Sequence, residues 1–183
     1  MILDTCYSIL GKQVTSIQDQ VSMLIRLATP DDLNAINSIY NFYVPTSTTT
    51  YQEIESTIDE RISWFTKRDS RHVVTVAEKD NEIVGWGSLN PFRERAAYRF
   101  TTEHSVYVRH DCFRIGIGSA LLADLIERAK QANFRTIVAG IDSEQLASVA
   151  LHSRFGFIEC ARFKQVGFKF DRWLDVIFMQ RML

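Results

Sequence analysis

One stretch, Glu103 to Gln131 (EHSVYVRHDCFRIGIGSALLADLIERAKQ), leaves few choices for the chain around it. Val106 and Val108 alternate with Ser105 and Tyr107, the period of a strand. Ile117, Leu121, Leu125 and Ala129 then recur every fourth residue among charged positions, the stripe of an amphipathic helix. Between the two lies Phe113-Arg114-Ile115-Gly116-Ile117-Gly118-Ser119, where glycine permits a sharp turn and close approach to the backbone. The first turn of a helix has amide hydrogens without internal partners and the positive end of the helix dipole. Strand, glycine turn and helix together make a ready anion site, best suited to phosphate. A dinucleotide fingerprint is excluded, because no third glycine follows at the right spacing. A nucleotide-hydrolase phosphate loop is excluded too, for want of Gly-Lys-Ser/Thr. Taken alone, the stretch also fits a plain tight connection.

The 183 residues suit one domain with a sizeable core. A net charge of −1 gives no basic footprint, so nucleic acid is not an expected partner. No apolar run approaches the ~20 residues of a membrane helix. Cys6, Cys112 and Cys160 are widely spaced, with no zinc or redox pattern, so free thiols and no metal are expected. The N-terminus lacks the pattern of a secretory signal, which makes the cytoplasm the expected compartment.

Met1–Ser22 is polar and aperiodic, and a domain-like pattern begins at Met23. The first 22 residues therefore read as a weakly ordered or non-native extension to a single domain, 23–183. Leu24–Ala28 predicts a strand. Thr29-Pro30-Asp31-Asp32 predicts a helix start, with a capping hydroxyl, proline and first-turn acids ahead of Leu33, Ile36, Ile39 and Tyr40. A hydroxyl-rich loop at Thr46–Thr50 precedes a second helix over Ser56–Lys67. Two strands, His72–Lys79 and Glu82–Leu89, meet in a hairpin at Asp80-Asn81. A basic loop, Pro91–Ala97, leads into the central strand from Tyr98. After the central helix come a strand over Arg135–Ile141, a helix over Glu144–Phe155 ended by Gly156, and strands over Phe157–Gly167 and Trp173–Met182. The order β-α-α-β-β-β-α-β-α-β-β predicts an α/β (α+β) domain with a mixed sheet and helices on both faces.

From about Leu24 to Met182 the chain resembles the GNAT acyltransferase superfamily, and within it the phosphinothricin and methionine-sulfoximine N-acetyltransferase branch. The resemblance rests on the order and spacing of several stretches. The first are Ile25-Arg26, Ala28-Thr29-Pro30-Asp31-Asp32, Asn41-Phe42-Tyr43 and Thr46-Ser47-Thr48. Tyr98, Glu103, Ser105-Val106-Tyr107-Val108 and Gly116-Ile117-Gly118 follow. The last are Ser148, Leu151-His152, Gly156-Phe157, Gly167-Phe168-Lys169, Trp173 and Asp175. Three positions depart from the family pattern. Phe113 stands where the turn usually opens with Gln or Arg, Gln145 where the late helix begins with Asn, and Asp171 where Gly is usual.

The resemblance implies a GNAT fold with a mostly antiparallel central sheet, and transfer of acetyl from acetyl-coenzyme A to a small primary amine, an amino acid or analogue. It implies coenzyme contacts from Val106, Tyr107 and Val108, from Phe113, Arg114, Ile115, Gly116, Ile117, Gly118 and Ser119, and from Gln145 and Ser148. It makes Glu103 the general base; an unbulged strand would place Glu103 on one face with Ser105 and Tyr107. The plain alternative is a solvated strand carboxylate. His152, on one helix face with Gln145 and Ser148, matches a family tyrosine that protonates the leaving thiolate; the alternative is a packed histidine bonded to backbone. Thr48, Arg93, Tyr98, Trp173 and Asp175 are expected at the amine substrate, and a homodimer is expected from the relatives. A non-catalytic acyl-coenzyme-A-binding module, or an acetyltransferase of protein N-termini, are the other readings.

Overall fold

The structure, a computed structural model, describes residues 23–183; the expectation for Met1–Ser22 lies outside them. Strand β1 (Leu24–Leu27) leads to Thr29, which caps a single 3-10 turn over Pro30–Asp32. The Asp32 carboxylate accepts from the Thr29 backbone N–H at 2.7 Å and grips Arg26 through both oxygens, at 2.7 and 2.8 Å. That knot orients helix α1 (Leu33–Thr46), which carries Pro45 in its last turn. Helix α2 (Ile58–Thr66) is shorter than expected because Thr57 and Glu60 form a reciprocal capping box that fixes its first turn.

The other elements are β2 (Val74–Lys79), β3 (Glu82–Pro91), β4 (Thr101–Val108), α3 (Ile117–Gln131), β5 (Thr136–Asp142), α4 (Leu146–Arg154), β6 (Ile158–Lys169) and β7 (Arg172–Met182). Asp80 and Asn81 both take positive φ, 54° and 62°, as a two-residue hairpin with right-twisted strands demands. The central strand starts at Thr101 rather than Tyr98, because Ala96–Tyr98 wind into a 3-10 turn first. The strands form one sheet in the order β1-β2-β3-β4-β5-β7-β6. Among the described residues only β4 and β5 pair in parallel; the other neighbours are antiparallel.

Helix α1 packs Leu33, Ile36 and Ile39 against Val74, Val76 and Trp86 on one face. Helix α3 packs Leu122, Leu125 and Ile126 with Leu89, Ile137 and Phe157 on the other. Gly85 and Gly87 of β3 set how closely α3 lies. A Cβ at Gly85 would come within 2.9 Å of Ile117, and one at Gly87 within 2.8 Å of Leu125. The helix therefore rests directly on backbone, and its N-terminal turn is fixed relative to β4.

The parallel ladder is short. It joins Thr101, Thr102 and Glu103 to Thr136, Ile137 and Val138, and then the two strands part. Beyond that point β4 remains bonded to β3 as far as Val108, and β5 to β7 as far as Asp142. Each strand keeps one partner while the edges that face each other open into a cleft.

Candidate active site

The cleft, of about 870 Å³, is walled by those two edges, by the turn before α3 and by α4. Exposed strand edges carry backbone donors and acceptors with no strand partner, so this end suits an extended ligand bearing amides. At the other end the backbone is shaped for an anion. Arg114 and Gly116 both have positive φ, 64° and 91°, and alternating turns of this kind point successive N–H groups inward. Gly116 then opens α3 with no side-chain cap and no acid in the first turn. The free amides and the dipole there both favour phosphate. Of the residues expected at the coenzyme, all but Ile115 line this cleft; Ile115 projects into solvent, 54% exposed.

Glu103 sits at the last paired position before the strands part, opposite Val138. Its Oε1 lies 3.4 Å from the place a Cβ would occupy on Gly140, a residue of the cleft wall. The β3–β4 register runs without a shift, so Glu103, Ser105 and Tyr107 share one face. Burial pushes the carboxyl pKa up, with the Arg93 charge pulling the other way. A carboxylate kept half-dry beside an opening is a better base than one in water.

His152 is buried in the wall of the cleft with both ring nitrogens engaged. Nδ1 is 2.6 Å from the Ser148 carbonyl oxygen, and Nε2 is 3.1 Å from Nε2 of His104. A carbonyl can only accept, so Nδ1 carries the hydrogen. The neutral ring then has a bare Nε2, which accepts from His104. Burial supports neutrality of the pair: it lowers the His152 pKa and pushes that of His104 down to about 3. In this tautomer His152 aims no proton at the cleft, as the packed-histidine alternative describes. His104, on the opposite strand face from Glu103, is a residue that no motif in the sequence singles out. Its alternation with Glu103 and Ser105 was the only available signal.

The five residues expected at the substrate are not gathered. Thr48 is buried and accepts from Gln145 Nε2 at 3.3 Å, tying the α1–α2 loop to the start of α4. Arg93 lies over the Phe92 ring, and Tyr98 meets the same ring edge-on. Trp173, 62% exposed, packs against Phe168, and Asp175 accepts from the Gln165 N–H at 2.8 Å. None of the five lines the cleft; they lie on loops and on the closing hairpin. Lys169, part of the Gly167-Phe168-Lys169 stretch, is buried and donates to the carbonyls of Ser47 and Thr50 at 2.8 and 2.6 Å, strapping that loop down.

A second cavity, of about 330 Å³, lies between α1, α2 and the β3–β4 face. It shares Ser105 and Tyr107 with the cleft, both on the strand that carries Glu103.

Comparison with known proteins agrees with this geometry. The family model of the acetyltransferase (GNAT) domain matches residues 25–178. The chain is 40% identical over 162 residues to the L-amino acid N-acyltransferase MnaT of Escherichia coli (strain K12), covering 88% of this chain and 94% of that one. It is 38% identical to the L-methionine sulfoximine/L-methionine sulfone acetyltransferase of Salmonella typhimurium, over 88% and 95% of the two chains. A solved phosphinothricin acetyltransferase from Sinorhizobium meliloti, in complex with acetyl-coenzyme A, superposes with a TM-score of 0.85 at 35% identity. That match covers 88% of both chains.

Proposed function

The chain belongs to the GNAT acetyltransferase family, and on that premise we propose that it moves the acetyl group of acetyl-coenzyme A onto the amino group of a small amino acid or amino-acid analogue. The observation that carries this reading is the parting of β4 and β5 immediately after Glu103. It leaves one cleft with strand edges for the coenzyme's amide arm and an N–H cradle for its pyrophosphate. In our reading the thioester ends beside the Glu103 carboxylate, which does not itself line the cleft but lies against Gly140 of its wall. A few hydrogen bonds to the pyrophosphate, each worth about 1.5–3 kcal/mol, suffice to anchor it.

An α-amino group has a pKa of about 7.7–8.0, so near neutrality most of it is protonated and cannot attack. In our reading Glu103, directly or through one water, takes that proton. The amine nitrogen then bonds to the carbonyl carbon, the carbon–sulfur bond breaks, and the electron pair leaves on sulfur as coenzyme A thiolate. A thiol has a pKa of about 8.5, so the thiolate can leave without a protein acid, in keeping with the engaged nitrogens of His152.

We extend the reading to a cytoplasmic homodimer. Its support is the exposed apolar surface of the closing hairpin, where Phe163, Phe168, Phe170 and Trp173 are each about half exposed or more. Purified protein mixed with acetyl-coenzyme A and a panel of amino acids and analogues, including L-methionine sulfone, tests the activity. Release of free thiol only when an amine is present is the expected result. No release with any member would refute the reading and leave a coenzyme-binding module.

A further inference from the structure

The cavity beside the cleft is lined by a buried cation that forms no ion pair among the described residues. Arg61, on α2, is only 6% exposed. Its guanidinium lies 4.6 Å from the Tyr40 ring centroid, 4.9 Å from Trp64 and 5.7 Å from Trp86. Nε donates to Asn37 at 3.1 Å, and among the described residues no carboxylate forms an ion pair with it. Glu60 also lines this cavity and its charge reaches Arg61, but its carboxylate is engaged at the α2 cap, where it accepts from the Thr57 N–H at 2.8 Å, and it forms no ion pair with the guanidinium. Arg68 adds a second positive charge to this face, stacked on Trp64 and bonded to Asn90 at 3.1 Å. Trp86 is 2% exposed, and its indole N–H finds no acceptor among the described residues.

A buried cation costs free energy unless it is paired, and so does a buried N–H without an acceptor. Arg61 and Trp86 both line one void, which shares Ser105 and Tyr107 with the cleft as lining residues. The guanidinium is pre-positioned by its ring stack, which lowers the entropy lost in gripping a planar oxygen pair. The aromatic walls exclude water and strengthen the contact.

We propose that this cavity receives an oxygen-bearing group of the acceptor amine, its carboxylate or an oxide on its tail, and that Arg61 with the Trp86 N–H is what selects such acceptors over simple amines. The proposal rests on the amino-acid reading given above and names the contact that enforces it. A charge-assisted hydrogen bond of ~1.5–3 kcal/mol corresponds to roughly ten- to hundredfold in kcat/KM.

The test compares wild type, Arg61→Gln, Arg61→Lys and Trp86→Phe on three acceptors. L-methionine sulfone has both groups, L-methionine only the carboxylate, and 3-(methylsulfonyl)propylamine only the tail oxide. Melting temperature and acetyl-coenzyme A affinity check the fold of each variant. We expect Arg61→Gln to lower kcat/KM by about ten- to hundredfold, chiefly through KM, on the acceptors that carry the bound group. The one acceptor that lacks that group should be spared: the propylamine if the carboxylate is bound, L-methionine if the oxide is. Arg61→Lys should recover part of the loss, and Trp86→Phe should cost several-fold. An equal fall on all three acceptors, or no fall on any, would overturn the proposal. If the wild type turned over none of them, the activity reading fails instead. Tryptophan fluorescence titrated with L-methionine sulfone then decides the cavity: a saturable change lost in Arg61→Gln supports it, and no change in wild type overturns it.

Discussion

Replacing Gly85 by Ala tests how α3 is set against the sheet. The added Cβ would lie 2.9 Å from Ile117 Cγ2, 3.0 Å from the Tyr107 carbonyl oxygen and 3.2 Å from Leu121. Ile117 is the first residue of α3, so relief requires the helix N-terminus to move. Overpacking of this kind costs about 1–3 kcal/mol. Against it stands a gain of ~0.4–1 kcal/mol from a less flexible unfolded chain. The net, roughly 0–2.6 kcal/mol, should lower the melting temperature by up to about 10 °C in a domain of this size. The amides after Gly116 ride on the same turn, so acetyl-coenzyme A should also bind more weakly. Gly87→Ala is the control: its Cβ meets Leu125, two turns further along, at 2.8 Å. It should destabilise similarly but spare the coenzyme. Scanning calorimetry and isothermal titration on both variants read the two effects. A melting temperature that rises in Gly85→Ala, or equal coenzyme losses in both, would refute the reasoning.

Gly116→Val should meet no steric neighbour, since nothing lies within 4 Å of its Cβ site. A β-branched residue resists φ of 91°, however, so the turn should relax and acetyl-coenzyme A affinity fall at least about tenfold, with little change in circular dichroism. Stability should fall as pH falls through the window between the ordinary histidine pKa of ~6.5 and about 3, the value to which burial pushes His104. In that window the unfolded chain binds more protons than the folded one. Thermal melts from pH 7 to 4 should show the slope, and His104→Gln should flatten it; an unchanged slope would mean the pair does not control acid stability.

Local signals carried most of the fold. The Asp80-Asn81 turn, the Thr29–Asp32 start and the stripe of α3 are each short-range, and they landed where their chemistry placed them. Boundaries shifted where a neighbour decided them, as when the Ala96–Tyr98 turn delayed β4. The cradle after Arg114 was legible because glycine and a helix stripe are local facts. The parting of β4 from β5 was not, because no residue near Glu103 announces that two strands will diverge. The burial of Arg61 without an ion pair among the described residues was hidden for the same reason. In sequence it is one more charge on an amphipathic helix, and only the packing of Tyr40, Trp64 and Trp86 around it sets it apart. The His104–His152 contact spans 48 residues and had no signal beyond strand alternation.

The central claim, that the Glu103 carboxylate takes the amine's proton at the point where the strands part, is tested most directly by the pH–rate profile of Glu103→Gln. Glutamine keeps the size and one accepting oxygen but cannot remove a proton. The account predicts kcat at pH 7 lower by about 10²–10⁴-fold, the usual contribution of general-base catalysis, with acetyl-coenzyme A affinity unchanged. The loss should shrink as pH rises and free amine accumulates. In wild type the acid limb of kcat/KM should lie above the ordinary carboxylate range, because burial raises this group's pKa. Near-full turnover at neutral pH in the variant, with the same pH profile as wild type, would contradict the account.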